Sequence, residues 1–246
     1  MIDTNIRYKI AQPLLLSGTG NTRELGNYCG KDGRKIKMKK LLRSDSIHQL
    51  TEGDKQILRD YGLGCIIDLR SEQEVVAQPC SMREDGIDYY HMPMADGLQS
   101  NSLSSANRMA DIYIQLLDNY GLRFIEVMRI IAAHSHCTVL FHCAVGKDRT
   151  GLMAMLLLLM VGVPFDTVIA DYCVSEINMK EIFNTQYKLA VNAGIYLPEF
   201  AFRSNQEEMI LALAHLIRKW GGCRGYLNAH GFSDREITDL QEKLLH

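Results

Sequence analysis

The residues best equipped for chemistry fall in one run, Val139-Leu140-Phe141-His142-Cys143-Ala144-Val145-Gly146-Lys147-Asp148-Arg149-Thr150-Gly151. A strand-like apolar stretch leads into a loop that opens an apolar helix, and five residues separate Cys143 from Arg149. That spacing suits a backbone curled around a tetrahedral oxyanion. The N–H groups of Ala144, Val145, Gly146, Lys147, Asp148 and Arg149 then turn inward as a nest, and the helix starting near Arg149 adds the positive end of its dipole. Arg149 contributes a planar fork that matches two phosphate oxygens. A cysteine on the floor of such a cradle is favoured as the thiolate, a nucleophile for phosphorus. His142 is expected to fix the loop by bonding backbone around Cys143. The Thr150 hydroxyl is placed to stabilise a departing thiolate, and Gly146 and Gly151 suit positive φ or close helix approach.

Other chemistries fit less well. His134, His136, Cys137, His142 and Cys143 lack the paired knuckles of a structural zinc site, and a strand separates the two groups, so no metal is expected. Gly18-Thr19-Gly20 has Arg23 where a dinucleotide fingerprint needs its third glycine, and Gly146-Lys147 is followed by Asp148 rather than a magnesium-holding Ser or Thr. No cofactor is implied.

The elements that must position the loop read as one α/β domain over residues 1–246. Strands are expected at Leu14–Leu16, Ile36–Leu42, Cys65–Leu69, Ile87–Met92 and Thr138–His142. Helices are expected from Thr51 to about Tyr61, at 105–118, from Leu122 to Ala132, at 149–161, about 166–180, about 206–219 and 234–245. Residues 184–205 carry no clear period. The 27 Lys+Arg against 29 Asp+Glu give a net charge of −2, which argues against nucleic-acid binding. Seven cysteines, an odd number, read as reduced and mostly buried thiols. The N-terminus lacks a signal-peptide pattern, and the longest uncharged run, residues 152–165, is shorter than the ~20 residues of a membrane span. A cytoplasmic protein without integral membrane contact is therefore expected; its oligomeric state is not legible. Between Lys31 and Arg43, seven basic residues face one acid, Asp32. They fit either an edge strand blocked by lysines or a field that draws in an anionic substrate.

The run from His142 to Gly151 resembles the Cys-x5-Arg phosphatases, and its fuller form His-Cys-x-x-Gly-Lys-Asp-Arg-Thr-Gly is similar to the bacterial atypical tyrosine, dual-specificity and phosphoinositide phosphatases. Asn21-Thr22-Arg23-Glu24-Leu25-Gly26, Leu42-Arg43-Ser44-Asp45, Ile67-Asp68-Leu69-Arg70-Ser71 and Tyr226-Leu227 before a Ser233-capped helix extend the likeness over nearly the whole chain. It implies a tyrosine-phosphatase-like, mostly parallel central sheet of four to five strands flanked by helices. It also implies a metal-free reaction on a phosphorylated protein or phosphoinositide. By the same likeness Asp148 is the general acid, with Asp96 as the alternative. Lys147 adds charge for substrates with more than one phosphate, Arg43, Asp68 and Arg70 lie near the pocket, and a helical lid falls within 171–220. Glu24 stands where the family often has Asp, and Asn27 where it often has Gly. The rival readings are a thiolate sulfurtransferase or arsenate reductase, and a phosphate-binding module that does not cleave.

Overall fold

The computed structural model describes residues 12–83, 86–94, 106–194 and 198–246. Among these, six strands form one sheet: β1 (Gln12–Pro13), β2 (Arg23–Glu24), β3 (Leu41–Ser44), β4 (Leu63–Asp68), β5 (Asp88–His91) and β6 (Thr138–His142), in the order β1-β2-β3-β6-β4-β5. β3, β6, β4 and β5 are mutually parallel. The two-residue β1 and β2 continue the sheet antiparallel beyond β3. The mostly parallel sheet is therefore present, with four full strands and this short extension.

Strands buried on both faces read as unbroken apolar runs, and Cys65-Ile66-Ile67 and Val139-Leu140-Phe141 do so. Their side chains alternate between two cores. Leu41, Cys65, Ile67, Val139 and Phe141 join the larger one. Leu42, Ile66 and Leu140 join Leu58 of α1 (Glu52–Tyr61) in the smaller one. α1 opens with the expected cap: Thr51 Oγ1 accepts from Asp54 N while Thr51 N donates to the Asp54 carboxylate. α2 (Glu72–Ala77) follows β4.

The larger face carries α3 (Met109–Asn119), α4 (Gly121–Ala133), α5 (Arg149–Met160), α6 (Phe165–Asn178), with α7 (Lys180–Asn192) packed on α6, then α8 (Gln206–Trp220), α9 (Cys223–Ala229) and α10 (Asp234–Leu244). α5 packs on β3 and β6 and is sheathed by α3, α6 and α9. Every residue of α5 but Leu159 is buried, so it can be apolar all round. α7 and a 3-10 turn at Glu199–Phe202 occupy most of the stretch that shows no sequence period. Among the described residues no helix is long and apolar enough to cross a membrane.

Two expectations need correction. Leu14–Leu16 lies just beyond β1 rather than in a strand, and Leu15 is exposed. Only Leu41 and Leu42 of the Ile36–Leu42 stretch enter β3; Ile36 makes an isolated bridge to Leu245. β3 lies between β2 and β6, so the basic segment guards no edge. It precedes the N-terminal end of β3, whereas the Cys143 loop follows the C-terminal end of the parallel β6. Four residues at ~3.3 Å of rise put about 13 Å of strand between them, more than a Debye length in physiological salt. The lysines do not line the loop.

Removing a core side chain from α5 leaves a cavity that its sheath cannot easily fill. Leu156→Ala is expected to lower the unfolding free energy by about 2–5 kcal/mol in urea titration, and a loss under about 1 kcal/mol would contradict this packing.

Candidate active site

The loop hangs between β6, which ends at His142, and α5, which begins at Arg149. Its carbonyls are tied outward one after another. The Cys143 carbonyl meets His142 Nδ1 at 3.2 Å, and the Ala144 carbonyl accepts from Ser46 N at 3.0 Å. The Val145 carbonyl accepts from Asn21 Nδ2 at 3.0 Å, and that of Gly146 from Arg43 Nη2 at 2.7 Å. A peptide plane whose C=O points out points its N–H in. No N–H from Ala144 to Arg149 donates to a described protein acceptor. Gly146 makes the turn possible: its φ is +69°, and a Cβ there would lie 2.5 Å from the Ser44 carbonyl oxygen. Gly151 is less constrained, since a Cβ on it would meet Tyr172 and Arg43 only at ordinary distances.

Cys143 lies on the floor of this loop, 2% exposed. Arg149 is nearly as buried, and Glu74 of α2 grips it end-on, Nη1 to Oε2 at 2.6 Å and Nη2 to Oε1 at 2.7 Å. Nη1 also donates to the Leu69 carbonyl at 3.3 Å. Nε makes no bond with the described residues, so Nε–H and the outer Nη2–H form a free two-donor edge. Burial pulls the guanidinium down, but Glu74, Cys143 and Asp148 together push it above its ordinary range, so it stays charged. Glu74 carries no obvious chemistry in the sequence. Its only signal is the capping box with Ser71, and the same carboxylate both caps α2 and anchors Arg149.

Asp148 sits at the N-cap of α5 without capping it. Its Oδ1 accepts from Tyr113 Oη at 2.6 Å, and Lys147 Nζ lies 3.4 Å away. Asp96, the alternative acid, lies outside the described residues. The Thr150 hydroxyl is buried without a bond to any described residue.

Three residues expected at the substrate are engaged by other protein groups. Lys147 is fully buried, and its ammonium donates to the carbonyls of Ala201 at 2.7 Å and Arg203 at 3.0 Å. It fastens the 198–204 segment to the loop. Arg43 is on the carbonyl side of the loop, with Nη1 bound to Asp171. Burial lowers its guanidinium to about 10, opposed by Asp171. Asp68 is also behind the loop: Arg70 takes it side-on, with Nη2 at 2.6 Å, and Tyr89 Oη donates at 3.0 Å. His142 Nε2 stands 3.5 Å from it. Desolvation opposes ionisation of Asp68, yet His142 and Arg70 hold it far below the ordinary carboxylate range.

A sequence profile described as tyrosine phosphatase family matches residues 14–246. The chain belongs to that family. As a phosphatase it is similar to a tyrosine-protein phosphatase of Nostoc commune, at 30% identity over 82% of this chain and 73% of that one. It is also similar to the triple specificity protein phosphatase PtpB of Mycobacterium tuberculosis, at 25% identity over 84% of this chain and 91% of that one. The solved structure of P. aeruginosa TpbA covers 68% of this chain and 80% of its own at 14% identity, with a TM-score of 0.41, too loose a likeness to carry an argument.

Behind the phosphatase loop, Asp171 neutralises two buried cations, Arg23 at 3.0 Å and Arg43. Burial opposes its charge, but the two arginines hold its carboxyl at about 2. Asp171→Asn leaves both guanidinia without a counter-ion, and a loss of about 3–5 kcal/mol is expected. Because its pKa is depressed on folding, the Asp171 contribution is complete above the ordinary ~3.9 and vanishes as pH falls toward the folded value. The deficit of the variant, read by denaturant titration from pH 7 downward, should shrink below about pH 4; a constant deficit would contradict the assignment.

Proposed function

We propose that this phosphatase hydrolyses phosphotyrosine in proteins through a phosphocysteine intermediate. In the first step Cys143 Sγ forms a bond to phosphorus while the P–O bond to the phenol breaks, and the leaving oxygen takes a proton from Asp148. In the second, water attacks phosphorus, Asp148 takes back a proton, and the P–S bond breaks to return the thiolate. The N–H groups of 144–149 and the free edge of Arg149 hold the three non-bridging oxygens in both steps. His142 fixes the loop at the Cys143 carbonyl, and the Thr150 hydroxyl receives the leaving sulfur. Arg43 and Asp68 support the loop from behind.

The observation that carries this reading is the outward tying of four consecutive carbonyls above a recessed thiol. A sulfurtransferase or a phosphate-binding module would use the same cradle, but neither needs a carboxyl at its rim. Asp148 is free of its capping duty and held by Tyr113, which suits a proton donor. The depth of Cys143 favours a long aryl ester over the shorter phosphoserine. The two carbonyls that hold Lys147 speak against a second phosphate, as on a phosphoinositide.

Cys143→Ser should abolish turnover of aryl phosphates. Asp148→Ala should slow phenyl phosphate by about 10²–10⁴ while an activated nitrophenyl ester changes far less. Surviving turnover in the first variant, or an equal loss on both esters in the second, would overturn the assignments. Rates on phosphotyrosine peptide, phosphoserine peptide and inositol lipid, measured side by side, should rank in that order, with the lipid slowest. A faster lipid rate would refute the substrate class.

A further inference from the structure

Two tyrosines of the larger core carry their hydroxyls to the catalytic loop. Tyr113 on α3 is fully buried and Tyr172 on α6 is 1% exposed. Their rings meet edge to face at 5.9 Å, and their hydroxyl oxygens are 2.7 Å apart. Tyr113 Oη donates its only proton to Asp148 Oδ1 at 2.6 Å. The proton between the two tyrosines therefore comes from Tyr172, and the chain runs one way, Tyr172 to Tyr113 to Asp148.

We infer that Tyr113, backed by Tyr172, is the positioning residue that makes Asp148 a directed proton donor. The inference rests on the reading of Asp148 as the general acid. A carboxyl rotates freely and can carry its proton on either oxygen. While Oδ1 accepts the hydrogen bond from Tyr113, a proton on the carboxyl sits on Oδ2, the oxygen that then gives it to a leaving group. As Oδ2–H gives up its proton, the negative charge that forms is met by a hydrogen bond already in place. Donation from Tyr172 polarises Tyr113 and strengthens that bond. Two fully desolvated hydroxyls in an apolar helix interface need partners, and they find them in each other and in Asp148.

Asp148 faces Tyr113 from α3 and the Lys147 ammonium at 3.4 Å. Tyr172 is hydrogen-bonded to Tyr113, and the charges of Asp148 and of Glu208 on α8 both act on it. Burial and the Asp148 charge push both tyrosines well above their ordinary range, so they stay protonated and donate throughout the working pH.

Tyr113→Phe removes one donor from the carboxylate and nothing from the ring packing. On phenyl phosphate, kcat is expected to fall about tenfold, with the activated nitrophenyl ester within about twofold. Across a series of aryl phosphates, log kcat should fall more steeply with leaving-group basicity than in wild type. Tyr172→Phe should steepen the same dependence by less. Thermal unfolding confirms that each variant is folded, and the Tyr172 variant serves where the Tyr113 variant does not fold. If both variants match wild type across the series while Asp148→Asn shows the leaving-group dependence, the tyrosines do not position the acid, although the acid stands. If Asp148→Asn shows no such dependence, the acid reading fails first and the inference with it.

Discussion

Everything in this molecule depends on a chain of peptide groups being held with their carbonyls turned away from a common centre. Isolated, a loop such as 143–149 would choose among many conformations, each residue costing about 1–2 kcal/mol to fix. Here the choice is made by partners from four places in the sequence: His142, Ser46, Asn21 and Arg43 each take one carbonyl. The inward amides follow without a partner among the described residues. Gly146 contributes the one backbone shape that a side chain would forbid at that spot.

Those partners are themselves held by buried charge. Arg43 can lie behind the loop only because Asp171 compensates it, and Asp171 can be ionised in the core only between Arg23 and Arg43. Asp68 and Arg70 form a second enclosed pair, bonded also to Tyr89 and Ser46, beside His142. A buried ion pair often adds little net stability over an apolar pair of the same size, but removing one partner is severe. What these pairs provide here is position: each presents a group of fixed direction to the back of the loop. The site's front face is then made of weak, neutral donors and one charged edge.

Much of this was readable in the chain. Thr138–His142 and α5 could be read almost to the residue because both are buried on all sides and so carry unbroken apolar runs. Thr51 and Ser233 marked helix starts through capping boxes that the structure contains. Asn27 has φ +64°, which Asn tolerates. The losses have physical causes. α2 and α9 are only 6 and 7 residues long, too short to show a period. Strands of two residues show none either, so Arg23-Glu24 could not be read as β2. Glu74 is not singled out for chemistry by any pattern, because its bond to Arg149 spans 75 positions. Tyr113 looked like one more apolar residue on a helix stripe, and its hydroxyl gave no hint of Asp148. The family likeness places Lys147 and Arg43 at or near the substrate pocket, while each is bound to backbone carbonyls that no linear pattern reveals.

On this reading backbone amides, more than side chains, receive the dianion. Amide proton and nitrogen resonances of the full chain, followed by NMR as tungstate is added, test it without turnover. The signals of residues 144–149 should move together and saturate at one affinity, while those of Lys31–Lys40 stay in place. Still signals in the loop, with shifts confined to the basic segment, would contradict it.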